Sequence, residues 1–317
     1  MDDKIRLGIS SCLLGHNVRF DGGHKMNRYL HDTLAPYVEY VPVCPEVEIG
    51  LPIPRPALRQ VDAGNGKVRL VFSKSGDDIT ERMEEWAQQR VKELESEKLD
   101  GFVFKSNSPS SGMERVKVYK DKGMPRKDGV GLFAAAFMQH FPLLPVEEEG
   151  RLNDSALREN FITRIFTLQR FRHMLENNPD YGDIVEFHTR HKLLLMAHSV
   201  EIYREMGRLV ARGRELDFDE FLHEYRTLLL KGLSLKATPS KHTNVLHHIL
   251  GYFKRDLSKD EKQEAVELID NYRQELVPLI VPVTLLNHFV RKFEQNYLRE
   301  QVYLKPHPKE LKLLNHV

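Results

Sequence analysis

Two thiols and one hydroxyl stand at corresponding places in this chain. Cys12 follows the apolar run Ile5–Ile9, and Cys44 follows Val38–Val43. Ser111 lies near the end of Lys105-Ser-Asn-Ser-Pro-Ser-Ser-Gly112, the loop after Gly101–Phe104. Thiolates are soft metal ligands and nucleophiles. Glu46 puts a carboxylate two residues from the Cys44 thiol. Each feature alone has a plain explanation. A single cysteine at a strand end is more often a small buried residue, Glu46 a solvated carboxylate, and Ser106–Gly112 a turn. Their coincidence at three strand ends is what raises the reading of a site. Gly50-Leu-Pro-Ile-Pro-Arg-Pro56 is too rich in proline for a helix or central strand and reads as a stiff wall presenting Arg55.

The elements that must position these residues alternate. Ile5–Ile9, Val38–Val43, Val68–Phe72 and Gly101–Phe104 read as strands, with Val116–Tyr119 a further one. Met26–Leu34, Asp78–Leu99 and Val130–His140 have helical spacing, and Asp78 with Glu81 forms a capping signature. Such alternation predicts an α/β domain with a mostly parallel sheet. Ligands of open parallel sheets sit beyond the carboxyl ends of the strands. Neighbouring parallel strands would therefore gather Cys12, Cys44 and the Ser106–Gly112 loop at one crevice.

Pro142-Leu-Leu-Pro145 and Glu147-Glu-Glu-Gly150 break the alternation, which places a boundary between residues 1–145 and 146–317. Beyond it, 153–175, 184–212, 219–231, 243–254, 259–276 and 283–300 read as helices, so an all-α helical C-terminal domain is expected. Ser258 and Glu261 form a capping box. Leu276–Leu286 reads as buried core or an oligomer contact.

Composition excludes several classes. The 317 residues carry a formal net charge of +1, so no bulk attraction to nucleic acid or membrane is expected. No run approaches the roughly 20 apolar residues of a membrane span, and Met-Asp-Asp-Lys-Ile does not open like a signal peptide. A cytoplasmic location is the default expectation. There thiols stay reduced, which argues against a Cys12–Cys44 disulfide.

Ser11-Cys-Leu-Leu-Gly15, Val18-Arg-Phe-Asp-Gly-Gly23, Cys44-Pro-Glu46, the Gly50–Pro56 wall and Lys105–Gly112 together resemble the bacterial thiouracil desulfidase family. The likeness spans about the first 140 residues; the second half resembles YbgA-type helical domains of unknown function. The resemblance implies three cysteines holding a 4Fe-4S cluster with one iron open. That iron takes the sulfur of a thiouracil-like pyrimidine, and water replaces the sulfur without net redox change. The first two ligands fall on Cys12 and Cys44, the acid–base carboxylate on Glu46, and a catalytic serine on Ser108. The third ligand falls on Ser111, where this chain has no cysteine. Arg19, Asp21, Arg55 and Lys105 become candidates for holding the ring, with loop-shaping salt bridges as the plainer role.

A hydroxyl loses its proton less readily than a thiol and is a harder ligand. Three outcomes stay open: a labile cluster, a cluster-less binding module or remnant, or a serine set on a parent that has cysteine there. Zinc on Cys12, Cys44 and His16 or His24 is the nearest metal alternative, although its spacing fits no standard zinc pattern. A thiolated-RNA-binding protein is a reading of another class. From Arg151 onward there are 26 Lys and Arg against 23 Asp and Glu, a small excess. The histidines of that half, His188 and His191 among them, read as structural.

Overall fold

The computed structural model of the chain describes residues 4–64, 66–120 and 122–315. The chain divides into two compact units, 1–157 and 158–317. The 145/146 boundary expected from sequence falls earlier, beside a strand that belongs to the first unit.

In that unit, β1 (Ile5–Ser10), β2 (Val38–Val43), β3 (Leu58–Gly64), β4 (Lys67–Phe72), β5 (Gly101–Phe104), β6 (Val116–Tyr119), β7 (Arg126–Gly129) and β8 (Val146–Glu148) make two sheets. The first has the order β2-β1-β5-β8 and is parallel throughout. Both β1 and β5 are buried along nearly their whole length, as expected of strands covered on two faces. Gly8 is what lets them pair closely. A Cβ there would lie 2.2 Å from Cδ2 of Phe102, so any side chain would displace that ring. Phe102 in turn packs on Phe104 and Phe137, with ring centroids 4.4 and 4.7 Å apart.

The second sheet, β4-β3-β6-β7, is mixed: β3 runs antiparallel to β4 and parallel to β6, and β6 runs antiparallel to β7. Neither β3 (LRQVDAG) nor β7 (RKDG) was visible in the sequence. Their polar composition hides the period, and pairing with apolar neighbours makes them strands. The acidic β8 likewise reads as a linker until β5 pairs with it.

Among the described residues, the α-helices interspersed with these strands are α1 (Pro45–Glu48), α2 (Thr80–Glu93) and α3 (Leu132–His140). α2 is shorter than the spacing predicted. Its cap position is Ile79, without a side-chain cap, because the Asp78 carboxylate instead accepts from the Thr80 amide and hydroxyl at 2.9 and 2.5 Å. The expected Met26–Leu34 helix is reduced to one π-helical segment, Tyr29–Leu34.

The rest is helical: α4 (Ser155–Leu175), α5 (Tyr181–His198), α6 (Val200–Arg212), α7 (Phe218–Ser234), α8 (Pro239–Gly251), α9 (Lys259–Arg273), α10 (Ile280–Lys292) and α11 (Asn296–Arg299). Ser199 splits the expected 184–212 helix, because its extended backbone ends α5 and its hydroxyl caps Ile202 N–H. The Ser258–Glu261 capping box forms. Val283 and Leu286 are core residues, whereas Leu276 is two-thirds exposed. Two of the histidines are tied to the backbone. His191 Nδ1 meets the Phe187 carbonyl at 2.7 Å and His198 Nδ1 the Leu235 carbonyl at 2.7 Å. Among the described residues no helix is long and apolar enough to cross a membrane.

Candidate functional site

β1 pairs with β2 on one side and β5 on the other, so the carboxyl ends of three neighbouring parallel strands open on one place. Cys12 sits in the short 3-10 helix Ser11–Leu14 just past β1. Cys44 ends β2 as the N-cap residue of α1, where Pro45 suits the first helical position. The Ser106–Gly112 loop leaves β5. Together they line a cavity of about 380 Å³ that takes in Cys12, Cys44, Glu46, Ser108 and Ser111. Arg19, Arg55, Lys105 and Phe20 complete the wall, whereas Asp21, His16 and His24 are not among its lining residues.

The serine loop is fixed from beneath. The Gln60 amide of β3, wholly buried, donates to the carbonyls of Pro109 at 2.9 Å and Val130 at 2.7 Å. The first turn of α3 donates Phe133 N–H and Ala134 N–H to the Ser110 carbonyl at 2.9 and 3.2 Å. The β8 glutamates hold neighbouring segments. Glu148 accepts from Met113 N–H at 2.7 Å, and Glu149, just past the strand, accepts from the Ser106 amide at 2.7 Å and from Lys105 Nζ at 2.5 Å. Lys105 Nζ also donates to the Ser106 carbonyl and hydroxyl at 2.9 and 3.0 Å, so its three donors are all engaged.

Glu46 is the hub of the polar side. Its Oε1 accepts from the Ser110 hydroxyl at 2.5 Å, and its Oε2 lies 3.6 Å from Cys44 Sγ and 3.8 Å from the Arg55 guanidinium. Arg55 also donates to the Val18 carbonyl at 2.9 Å, which ties the proline-rich wall to the 18–23 turn. Arg19 and Asp21 pair with each other at 3.3 Å, and Asp21 also accepts Gly23 N–H at 3.1 Å. Burial pushes the Cys12 thiol up to about 11 and the Cys44 thiol up to about 12, Glu46 adding to both. In the free chain both are thiols, so a metal must displace their protons on binding.

The donor set fits an iron–sulfur cofactor. Among the described residues, neither Cys12 Sγ nor the Ser111 hydroxyl, on a residue 3% exposed, has a hydrogen-bond partner. Cys12, Cys44 and Ser111 thus line one cavity, and two of the three have no side-chain hydrogen-bond partner among the described residues. A second cavity of about 840 Å³ shares Ala57, Leu58, Asn107 and Pro109 with the first. It adds Arg59, Arg115, Lys117, Lys127 and Tyr119, with no carboxylate among its lining residues.

Residues 7–149 match the family model described as 2-thiouracil desulfurase, and residues 192–308 match a model described as a protein of unknown function, DUF1722. The uncharacterized protein YbgA of Escherichia coli (strain K12) is 33% identical over 164 residues, 51% of this chain and 94% of that protein. The chain belongs to the YbgA family. It joins that family's helical domain to a 2-thiouracil desulfurase-type α/β domain. A solved structure described as a 4Fe-4S-dependent thiouracil desulfidase, TudS, is 29% identical with a TM-score of 0.41 and covers 49% of this chain and 97% of its own.

Three residues of the site escaped the sequence. Ser110 lies inside the Lys105–Gly112 motif, but only depth distinguishes it from its neighbours. Glu149 looks like part of an acidic linker. Gln60 lies in a strand too polar to be recognised. No local signal in the sequence marks the last two.

Proposed function

We propose that the first unit converts a thiolated, uracil-like pyrimidine to its oxo form. Water adds at the ring carbon, the carbon–sulfur bond breaks, and hydrogen sulfide leaves without net electron transfer. The observation that carries this reading is the meeting of Cys12, Cys44 and Ser111 on one cavity from three parallel strand ends. Its volume of about 380 Å³ lies in the range of small-molecule sites. The desulfurase family match over 7–149 supplies the substrate class.

Cys12 and Cys44 would hold a 4Fe-4S cofactor, with Ser111 offering oxygen at the third corner. When bound, such a group supplies a Lewis-acidic, sulfur-seeking iron. The chain's own residues do the rest. Glu46 is placed at the cavity wall to take a proton from water and return it to departing sulfur. Ser108 lines the same wall and positions the ring. Arg55, with guanidinium donors to spare, and Arg19, steadied by Asp21, are placed to hold ring oxygen. Lys105 shapes the serine loop through Glu149. Oxygen as third donor makes the cofactor labile, because it is a poor match for soft iron–sulfide chemistry.

The test is oxygen-free reconstitution of the full chain and of Ser111→Cys, followed by iron and acid-labile sulfide analysis and sulfide release from 2-thiouracil. The variant retains more iron and releases sulfide faster. Equal, negligible iron in both proteins ends the reading.

A second reading, that the thiolated base is carried on RNA, is favoured by the adjoining cationic cavity. It places the phosphate contacts on the second sheet of the first unit, not on the helical half.

A further inference from the structure

Ser110 is wholly buried and does not line the cavity, yet it joins two residues that do. Its hydroxyl lies 2.5 Å from Glu46 Oε1 and 3.0 Å from Ser108 Oγ. A serine hydroxyl has one proton, and a carboxylate only accepts. The Ser110 proton therefore goes to Glu46. Ser110 Oγ is left as the acceptor for Ser108, whose own single proton is thereby used up. The Ser111 amide, 3.1 Å from Ser108 Oγ, takes one of the two remaining acceptor positions on Ser108. What Ser108 has left for the cavity is a lone pair.

We propose that Ser110 is a positioning residue that fixes Ser108 as a hydrogen-bond acceptor, so that the cavity selects a pyrimidine offering a ring N–H. The array runs in one direction: Ser111 N–H to Ser108, Ser108 O–H to Ser110, Ser110 O–H to Glu46. A ring nitrogen carrying a proton completes it, as N3 does in 2-thiouracil. A ring that carries no N–H, such as 1-methyl-2-thiocytosine with its bare N3, meets a second lone pair. Such a mismatch inside a desolvated site discriminates more strongly than a change of size. The identity of the ligand rests on the desulfuration reading, whereas the direction of the array does not.

The test measures equilibrium binding of 1-methyl-2-thiouracil, which keeps N3–H, and 1-methyl-2-thiocytosine, which has no ring N–H, by NMR titration of the metal-free full chain, where turnover does not intervene. The two rings are of equal size. The unmodified chain prefers 1-methyl-2-thiouracil, by roughly 10- to 100-fold. In Ser110→Ala the Ser108 hydroxyl is free to turn its proton into the cavity, and the preference narrows at least severalfold. Glu46→Gln, outside the serine loop, narrows it too, because its amide can donate to Ser110 and reverse the array. A preference unchanged within twofold in both variants, with thermal unfolding intact, overturns the proposal, as does binding of neither ring. Preserved discrimination without sulfide release from the reconstituted chain would instead count against the proposed reaction.

Discussion

Gly131 is the position at which the site is most sensitive to a single methyl group. It precedes α3 with φ −62° and ψ 143°, a conformation that alanine adopts freely. Replacing it by alanine therefore isolates a steric effect. The added Cβ would lie 2.4 Å from the carbonyl carbon of Ser110, 2.5 Å from its oxygen and 2.6 Å from the Ser111 nitrogen. All three are backbone atoms, so no side chain can rotate away. Ordinary contact begins near 3.4 Å, so the loop must shift by about 1 Å or break its bonds to Phe133 and Ala134. Overpacking of this kind costs about 1–3 kcal/mol. A displacement of about 1 Å in a positioned group costs on the order of 100-fold in rate. Gly131→Ala is expected to lower the thermal midpoint of the full chain and to reduce sulfide release from 2-thiouracil far more than the stability loss explains. Differential scanning fluorimetry and a sulfide assay at a temperature where the variant is fully folded check both. A variant matching the parent in midpoint and rate would refute the claim that α3 holds the serine loop in place.

Two further outcomes follow from the same coordinates. Burial pushes His188 and His198 down to about 4 from the ordinary 6.5, so the folded chain keeps them neutral where the unfolded chain protonates them. The unfolded state binds more protons between those values, so stability is complete above about pH 6.5 and is lost as pH falls toward 4, by up to about 3 kcal/mol for each histidine. Thermal midpoints measured from pH 7 to pH 4.5 should fall, and His188→Gln should flatten the slope; a flat profile in the parent contradicts the assignment. If the cationic cavity holds RNA phosphates, binding of a short RNA weakens with salt, and Lys117→Ala and Lys127→Ala each lower the salt slope by about one. Equal slopes in parent and variants would remove the second sheet from the interface.

The α/β layer, the helical half, and the positions of Cys12, Cys44 and the Lys105–Gly112 loop were legible because strands buried on both faces leave continuous apolar runs. The helices of the second half announce themselves by periodicity and by caps such as Ser258 with Glu261. Order and spacing along β1, β2 and β5 sufficed to anticipate that their ends could meet. What remained hidden depends on partners distant in sequence. β7 is a strand because β6 pairs with it, and β8 because β5 does; alone, Arg126–Gly129 and Val146–Glu148 have no apolar period to read. Gln60, Glu149 and Gly131 matter through contacts with loops 40 to 70 residues away or through one close approach, which no local pattern encodes. The amino-acid order determined which donors the site can contain, two sulfurs and a serine oxygen, because side-chain chemistry is local. Only the tertiary structure decided that Ser108, Ser110 and Glu46 join in one array, because the bonds of the two serine hydroxyls are set by distances that exist in the folded chain alone.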